Sequence, residues 1–260
     1  MRHCAPVDEV WTVRAGEVPY EEARGAQKRL EAARQAGEVP DVLLLLEHPP
    51  VYTRGRRSTP DELPMGEDWY RMQGIEVRES DRGGRVTYHG PGQLVGYPIV
   101  SLRSFANRAA PGVADEEAAR IDVVEYIRRM ERLMIAALSD WKVEAEVVDG
   151  LTGVWTPDRR KIASIGVHVN RGVTTHGFAI NVNNDLQPFE WIVPCGIESC
   201  RMTSLGRELG AEQDLDAFAT TVRNRFAELY ERRVVEVTAD ELSERLPDVE
   251  VLAGATPALR

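Results

Sequence analysis

On both sides of Asn170-Arg171-Gly172, apolar positions alternate with polar or small ones. Ile162 to Val169 and Val173 to Val182 therefore read as two strands, and the Asn-Arg-Gly stretch between them as a hairpin turn. Ala163, Ile165, Val167 and Val169 fall on one face of the first strand. His176, Phe178, Ile180 and Val182 form the matching face of the second. A two-residue turn at Arg171-Gly172 pairs Val169 with Thr174 and sets both rows on one side. Lys161 shares the parity of the first row and stands at its open end. A lysine is thus expected beside apolar surface, where burial works against the charged form.

The same reading places the other elements. Val10 to Arg14 is a strand at the end of an N-terminal extension (residues 1–16). Pro19 to Ala36 is a helix closed by Gly37. Val42 to Glu47 is a continuous apolar run of strand length, which predicts a central position in a sheet, and His48-Pro49-Pro50 ends it. Val51 to Arg57 starts extended and finishes in a basic cluster. Trp69 to Gln73 is a helical turn, and Ile75 to Glu79 and Leu94 to Val100 are strands. In the short strand Val86 to Tyr88, Thr87 and His89 have opposite parity to Tyr88. Asn107 to Ala119 reads as a mobile loop. Ile121 to Leu138 is an amphipathic helix with Val124, Ile127, Leu133 and Ile135 on its apolar side. Val143 to Val148 reads as a strand, and Asp214 to Tyr230 as a helix with Leu215, Phe218, Val222, Phe226 and Leu229 at helical spacing. Without repeats, linkers or composition breaks, the chain is expected to be one α/β (α+β) domain with a mixed sheet flanked by helices.

Composition narrows the function. The 260 residues carry a formal charge of −10, which argues against general nucleic-acid binding. No apolar run reaches membrane-span length, and no secretory signal is recognisable at the N-terminus. Three cysteines (Cys4, Cys195 and Cys200) make a poor disulfide framework and fit a reducing, cytoplasmic setting.

Two stretches carry candidate chemistry. Arg82 to Gln93 holds four glycines, which let backbone pass close to a ligand. It lacks the Lys-Ser/Thr ending of a phosphate loop, which excludes nucleoside triphosphate binding there. The other runs from Lys161 to Cys195. A cysteine followed by Gly196 leaves backbone amides access to whatever the sulfur bonds, and a nearby amine can favour the thiolate or take its proton. Equally, Cys195 could be a small packing residue and Lys161 a lysine laid along the surface. A zinc site from Cys195, Cys200 and His176 lacks a fourth ligand.

Four blocks together resemble the lipoate biosynthesis octanoyltransferases, or lipoyl(octanoyl) transferases. They are Leu45 to Gly55, Arg82 to Gln93, Lys161 to Val167 with Thr175 to Val182, and Ile192 to Ile197 with Thr203-Ser204-Leu205. They span about residues 42–205. The resemblance implies an α/β fold related to biotin and lipoate protein ligases. It implies transfer of an octanoyl group from octanoyl-acyl carrier protein to a lysine of lipoyl domains, those of 2-oxoacid dehydrogenase complexes and of the glycine cleavage H protein. No metal or cofactor is implied, and the enzyme is expected to act as a monomer. Cys195 matches the family cysteine that carries the acyl group as a thioester, and Lys161 the lysine that tunes it and moves protons. The acyl-pocket segments match Arg82, Gly83, Gly84, Arg85, Val86, Thr87, Tyr88 and His89, then Ser164, Ile165 and Gly166, then His176, Gly177 and Phe178. The Asn107 to Arg120 stretch is longer than the family pattern. Acyl carrier proteins are acidic, so docking on an acidic enzyme requires a basic patch. Arg54, Arg56 and Arg57, or Arg159 and Arg160, are the clusters that flank the chemistry. Two rival functions are an ATP-dependent lipoate ligase, which would need no cysteine, and a non-catalytic acyl-carrier binding module.

Overall fold

The computed structural model describes residues 9–103, 123–193, 200–246 and 249. The expected loop at 107–119 and Cys195, the expected nucleophile, lie outside them. In chain order the first half comprises β1 (Glu9–Glu17), α1 (Tyr20–Ala36), β2 (Asp41–Glu47), β3 (Val51–Arg54), α2 (Glu67–Met72), β4 (Glu76–Glu79), β5 (Thr87–His89) and β6 (Gln93–Ile99). The second comprises α3 (Val123–Asp140), β7 (Val154–Trp155), β8 (Arg160–Asn170), β9 (Val173–Asn181) and β10 (Arg201–Met202). It closes with α4 (Leu205–Leu209), α5 (Leu215–Leu229), β11 (Arg233–Glu236) and α6 (Ala239–Arg245).

The large sheet has the order β10-β8-β9-β6-β2-β1-β11, with β7 also against β8. It is mixed: β1 is parallel to both β2 and β11, whereas β2, β6, β9 and β8 follow one another antiparallel. The hairpin has the expected register, with Val169 opposite Thr174 and Asn170 opposite Val173. The apolar run of β2 is central because both of its faces are covered. Leu43 and Leu45 join the core under α3 and α5, and Val42, Leu44 and Leu46 the core under α1 and α6. Gly37 ends α1 in the left-handed conformation, φ 73°, and its N–H bonds the Arg34 carbonyl.

A smaller sheet, β4-β3-β5, has its own core of Tyr52, Tyr70, Tyr88 and Phe189. Tyr52 donates to the Pro188 carbonyl (2.7 Å) and Tyr70 to that of Trp191 (2.8 Å), which ties the chain just before 194 onto this sheet.

Three readings change. Val143 to Val148 is not a strand; its sole ladder contact is an isolated bridge from Glu146 to Trp155, and Val147 is 46% exposed. On α3 the expected Ile127, Leu133 and Ile135 do pack on the core, but Val124 is 59% exposed, and the deepest positions also include Tyr126, Met130, Met134 and Ala137. Residues 9–17 are not an appendage, since β1 lies between β2 and β11. The two-residue strands β7 and β10 are too short for periodicity to reveal them, and β11 is not among the expected elements either.

Candidate active site

The glycine-rich block is stitched across the exposed edge of β8. Arg56 and Arg57 donate backbone N–H groups to the carbonyls of Arg82 and Gly84 (3.0 Å each), and Gly83 donates to the Val167 carbonyl (2.9 Å). Arg82 folds back into the loop, its Nη2 donating to the carbonyl (2.7 Å) and the hydroxyl (2.8 Å) of Thr53. Glycine is required where the strands of backbone cross. A Cβ on Gly166 would lie 2.9 Å from the Gly83 carbonyl oxygen, and one on Gly55 2.5 Å from that of Gly84.

Lys161 is 2% exposed. Its stem passes over Gly153, where a Cβ would lie 2.9 Å from Cε, and its Nζ stands 5.2 Å from the centroid of the Trp155 ring. A cation in that position is attracted to the ring face. The Lys161 carbonyl accepts the N–H of Thr203 (2.9 Å), and Met202 stands opposite Lys161 in the ladder, so the chain after 199 returns directly to the lysine.

Between these two features lies a cavity of about 450 Å³, a size typical of small-molecule sites. It brings together residues that the sequence had marked separately: Lys161, Arg82 to Thr87, His89, Ser164, Ile165, Gly166, His176, Gly177 and Phe178 all line it. Tyr88 does not. The pleat of β5 turns it into the small-sheet core, where its ring lies 5.5 Å from those of Tyr52 and Phe189. Sequence reasoning missed Tyr20, Val95, Tyr97, Ile127, Leu151, Thr152 and Trp155, which also line it. They come from α1, β6, α3, β7 and the loop before β7, and no local pattern marks them.

Behind the lining is a buried group of histidines and tyrosines. His48 Nδ1 is 2.6 Å from the Val18 carbonyl and Nε2 is 2.7 Å from the Tyr97 hydroxyl. Burial pushes the pKa of His48 down to about 4 and that of His89 well below the usual histidine range. His89 Nδ1 is 2.7 Å from Gln93 Oε1, whose amide nitrogen donates to Asn181. His176 has φ 57°, rare for a residue with a side chain, and its Nε2 is 2.8 Å from Asp81 Oδ1. That contact holds the Asp81 carboxyl below the usual range, while burial lowers the His176 ring despite it. Among the described residues no three metal-ligating side chains cluster, and Cys195 lies outside them.

The basic clusters divide. Arg54 is paired with Glu67 (2.8 Å) and Glu79 (3.1 Å), and Arg160 with Asp158 (2.6 Å) and Glu208 (2.8 Å). Arg56, Arg57 and Arg159 are exposed, and Arg57 borders the cavity. Among the described residues no helix is long and apolar enough to cross a membrane.

Comparison with known proteins agrees with this arrangement. Residues 19–227 match the family described as Lipoyl protein ligase A/B catalytic domain. The octanoyltransferase of Koribacter versatilis is 41% identical over 244 residues, covering 93% of this chain and 92% of that relative. That of Acidobacterium capsulatum is 46% identical over 199 residues, covering 75% of this chain and 78% of the relative. That of Mycobacterium tuberculosis (strain H37Rv) is 46% identical over 209 residues, covering 80% and 81%. Among solved structures, a bi-partite lipoate protein ligase of Thermoplasma acidophilum superposes with a TM-score of 0.70 at 17% identity, covering 95% of this chain and 93% of its own. A lipoate-protein ligase A bound with ATP gives 0.63 at 16%, covering 94% of each. At these identities the two ligases establish the fold, and the octanoyltransferases establish the family. This chain belongs to the octanoyltransferases of the lipoyl protein ligase A/B catalytic domain family and is an acyltransferase.

Proposed function

We propose that this protein transfers an octanoyl group from octanoyl-acyl carrier protein to a lysine of lipoyl domains, those of 2-oxoacid dehydrogenase complexes and the glycine cleavage H protein. It does so as a single cytoplasmic catalytic domain, through a thioester on Cys195. The observation that carries the reading is the cavity, whose wall combines a buried lysine with a slot thinned by Gly83, Gly84, Gly166 and Gly177 and faced by Ile165 and Phe178. An octanoyl chain laid there buries six methylenes, worth about 5 kcal/mol at roughly 0.8 each.

In the first half-reaction the Cys195 thiolate attacks the donor thioester carbonyl. The carbon–sulfur bond to the carrier breaks, and the carrier thiolate leaves with a proton delivered by Lys161. Exchange of one thioester for another is nearly isoenergetic, so positioning and oxyanion stabilisation set the rate. In the second, the amine of the acceptor lysine attacks the acyl-enzyme as neutral Lys161 takes its proton. The bond to Cys195 then breaks, and the amide departs. The pairing of Met202 with Lys161 supports this division of roles, because Cys195 precedes in the chain a strand that lies directly against the lysine.

The test is intact-protein mass spectrometry after incubation with octanoyl-acyl carrier protein, without ATP or magnesium. Wild type and Cys200→Ala should each gain one octanoyl group, and folded Cys195→Ala none. An adduct on Cys195→Ala, or acylation only when ATP is supplied, would overturn the proposal and favour an adenylating ligase.

A further inference from the structure

We infer that Glu131 is a positioning residue for Lys161, acting through the backbone of Gly153. The inference rests on the proton-carrying role proposed for Lys161. Glu131 is fully buried in the middle of α3, beside Met130, Leu133 and Met134. A carboxylate in such a place is costly unless each oxygen is satisfied. Here both are. Oε2 meets Arg128 Nη1 at 2.7 Å, and that arginine keeps 39% of its side chain exposed. Oε1 reaches inward and accepts the N–H of Gly153 at 3.1 Å.

Gly153 is the peptide over which the lysine lies. Its φ of 123° is a conformation that residues with side chains rarely adopt. A Cβ there would meet the Ala163 carbonyl oxygen at 2.5 Å, Lys161 Cε at 2.9 Å and Nζ at 3.4 Å. Two residues on, the Trp155 ring stands by the same amine. One side of the lysine seat is therefore bare peptide in an unusual conformation, held at its N–H by a buried acid. The same helix sets Ile127, one turn earlier, against the cavity. A buried ion pair adds little stability over apolar residues of similar volume, so the contribution of Glu131 is to geometry. Displacement of Lys161 by about 1 Å is enough to slow a proton-transfer step about 100-fold.

The experiment measures transfer by the full-length protein, with kcat and KM for the acyl donor resolved and melting followed in parallel. Glu131→Gln keeps an oxygen acceptor for Gly153, so it should stay within about threefold of wild type. Glu131→Leu or Glu131→Met, whichever folds with wild-type cooperativity, should lose about 10- to 100-fold in kcat with KM nearly unchanged. The inference is overturned if glutamine is as slow as the apolar variant, if the apolar variant turns over normally, or if KM rises in step with the loss of kcat. Lys161→Ala is measured alongside. Normal transfer by that protein would remove the proposed role of Lys161 itself, whereas a slow Lys161→Ala with a fast apolar Glu131 variant would remove only the inference.

Discussion

Tyr97 donates its phenolic hydrogen to Nε2 of His48 across 2.7 Å. The direction follows from the other side of the ring, where Nδ1 is 2.6 Å from the Val18 carbonyl, which can only accept. Nδ1 therefore carries the single proton of the neutral imidazole, and Nε2 offers its lone pair. A protonated His48 would have no acceptor at Nε2 except the oxygen of Tyr97, and the buried tyrosine would have to reverse its hydrogen bond.

Acid should destabilise the protein through this ring. The His48 pKa lies at about 4 in the folded state, below the unfolded value of 6.5. Between those limits only the unfolded chain binds the proton, so stability falls as pH drops from 6.5 and levels off below 4. The interval corresponds to about 3 kcal/mol. His89 is shifted in the same direction and adds to the loss. Thermal melting from pH 7 to pH 4 checks this. His48→Gln, which cannot titrate, should show a melting curve shifted less by acid, by roughly 10 °C over that range. Equal slopes for the two proteins would count against it.

Lys161→Arg should be nearly as poor as Lys161→Ala in the transfer half-reaction. Arginine keeps a cation near Trp155 but does not surrender a proton at neutral pH. Single-turnover transfer from pre-acylated enzyme separates the two half-reactions. Near-normal transfer by the arginine variant would leave only an electrostatic role for the lysine.

Carrier docking should depend on Arg56 and Arg57 more selectively than on Arg159 and Arg160. Arg56 and Arg57 are exposed, Arg57 at the cavity rim, and neither side chain is in an ion pair among the described residues. Arg160 is held by Asp158 and Glu208, and Glu208 also accepts the hydroxyl of Thr203, the residue bonded to Lys161. Arg56→Glu/Arg57→Glu should therefore slow acylation by the carrier-bound donor but not by a small octanoyl thioester, with wild type the more salt-sensitive. Arg159→Glu/Arg160→Glu should slow both. Equal losses for the first pair with either donor would remove the docking role.

Much of this architecture is legible in the chain because its cause is local. The hairpin register follows from a two-residue turn between alternating rows, and Val169 pairs with Thr174 as that turn requires. Alternation along β5 separates Thr87 and His89 from Tyr88, and the cavity and the small-sheet core receive them accordingly. An unbroken apolar β2 implies two covered faces, and it has them.

Other relationships exist only once distant elements are neighbours. The side chain that covers Lys161 is Trp155, across the β7–β8 bend, and the acid that fixes its seat is on α3. His48, Tyr97 and Tyr20 converge because β2 lies between β1 and β6, an order no periodicity encodes. The same limit misplaced Val143 to Val148, whose alternation is real but whose only ladder contact is the bridge to Trp155. By itself the sequence determined the longer strands, the faces of the β8–β9 hairpin and the residue types able to do acyl chemistry, since those depend on spacing along the backbone. The tertiary structure alone decided which side chains share the cavity, because burial, hydrogen-bond direction and the room left by a missing Cβ are set by contacts between residues far apart in the chain.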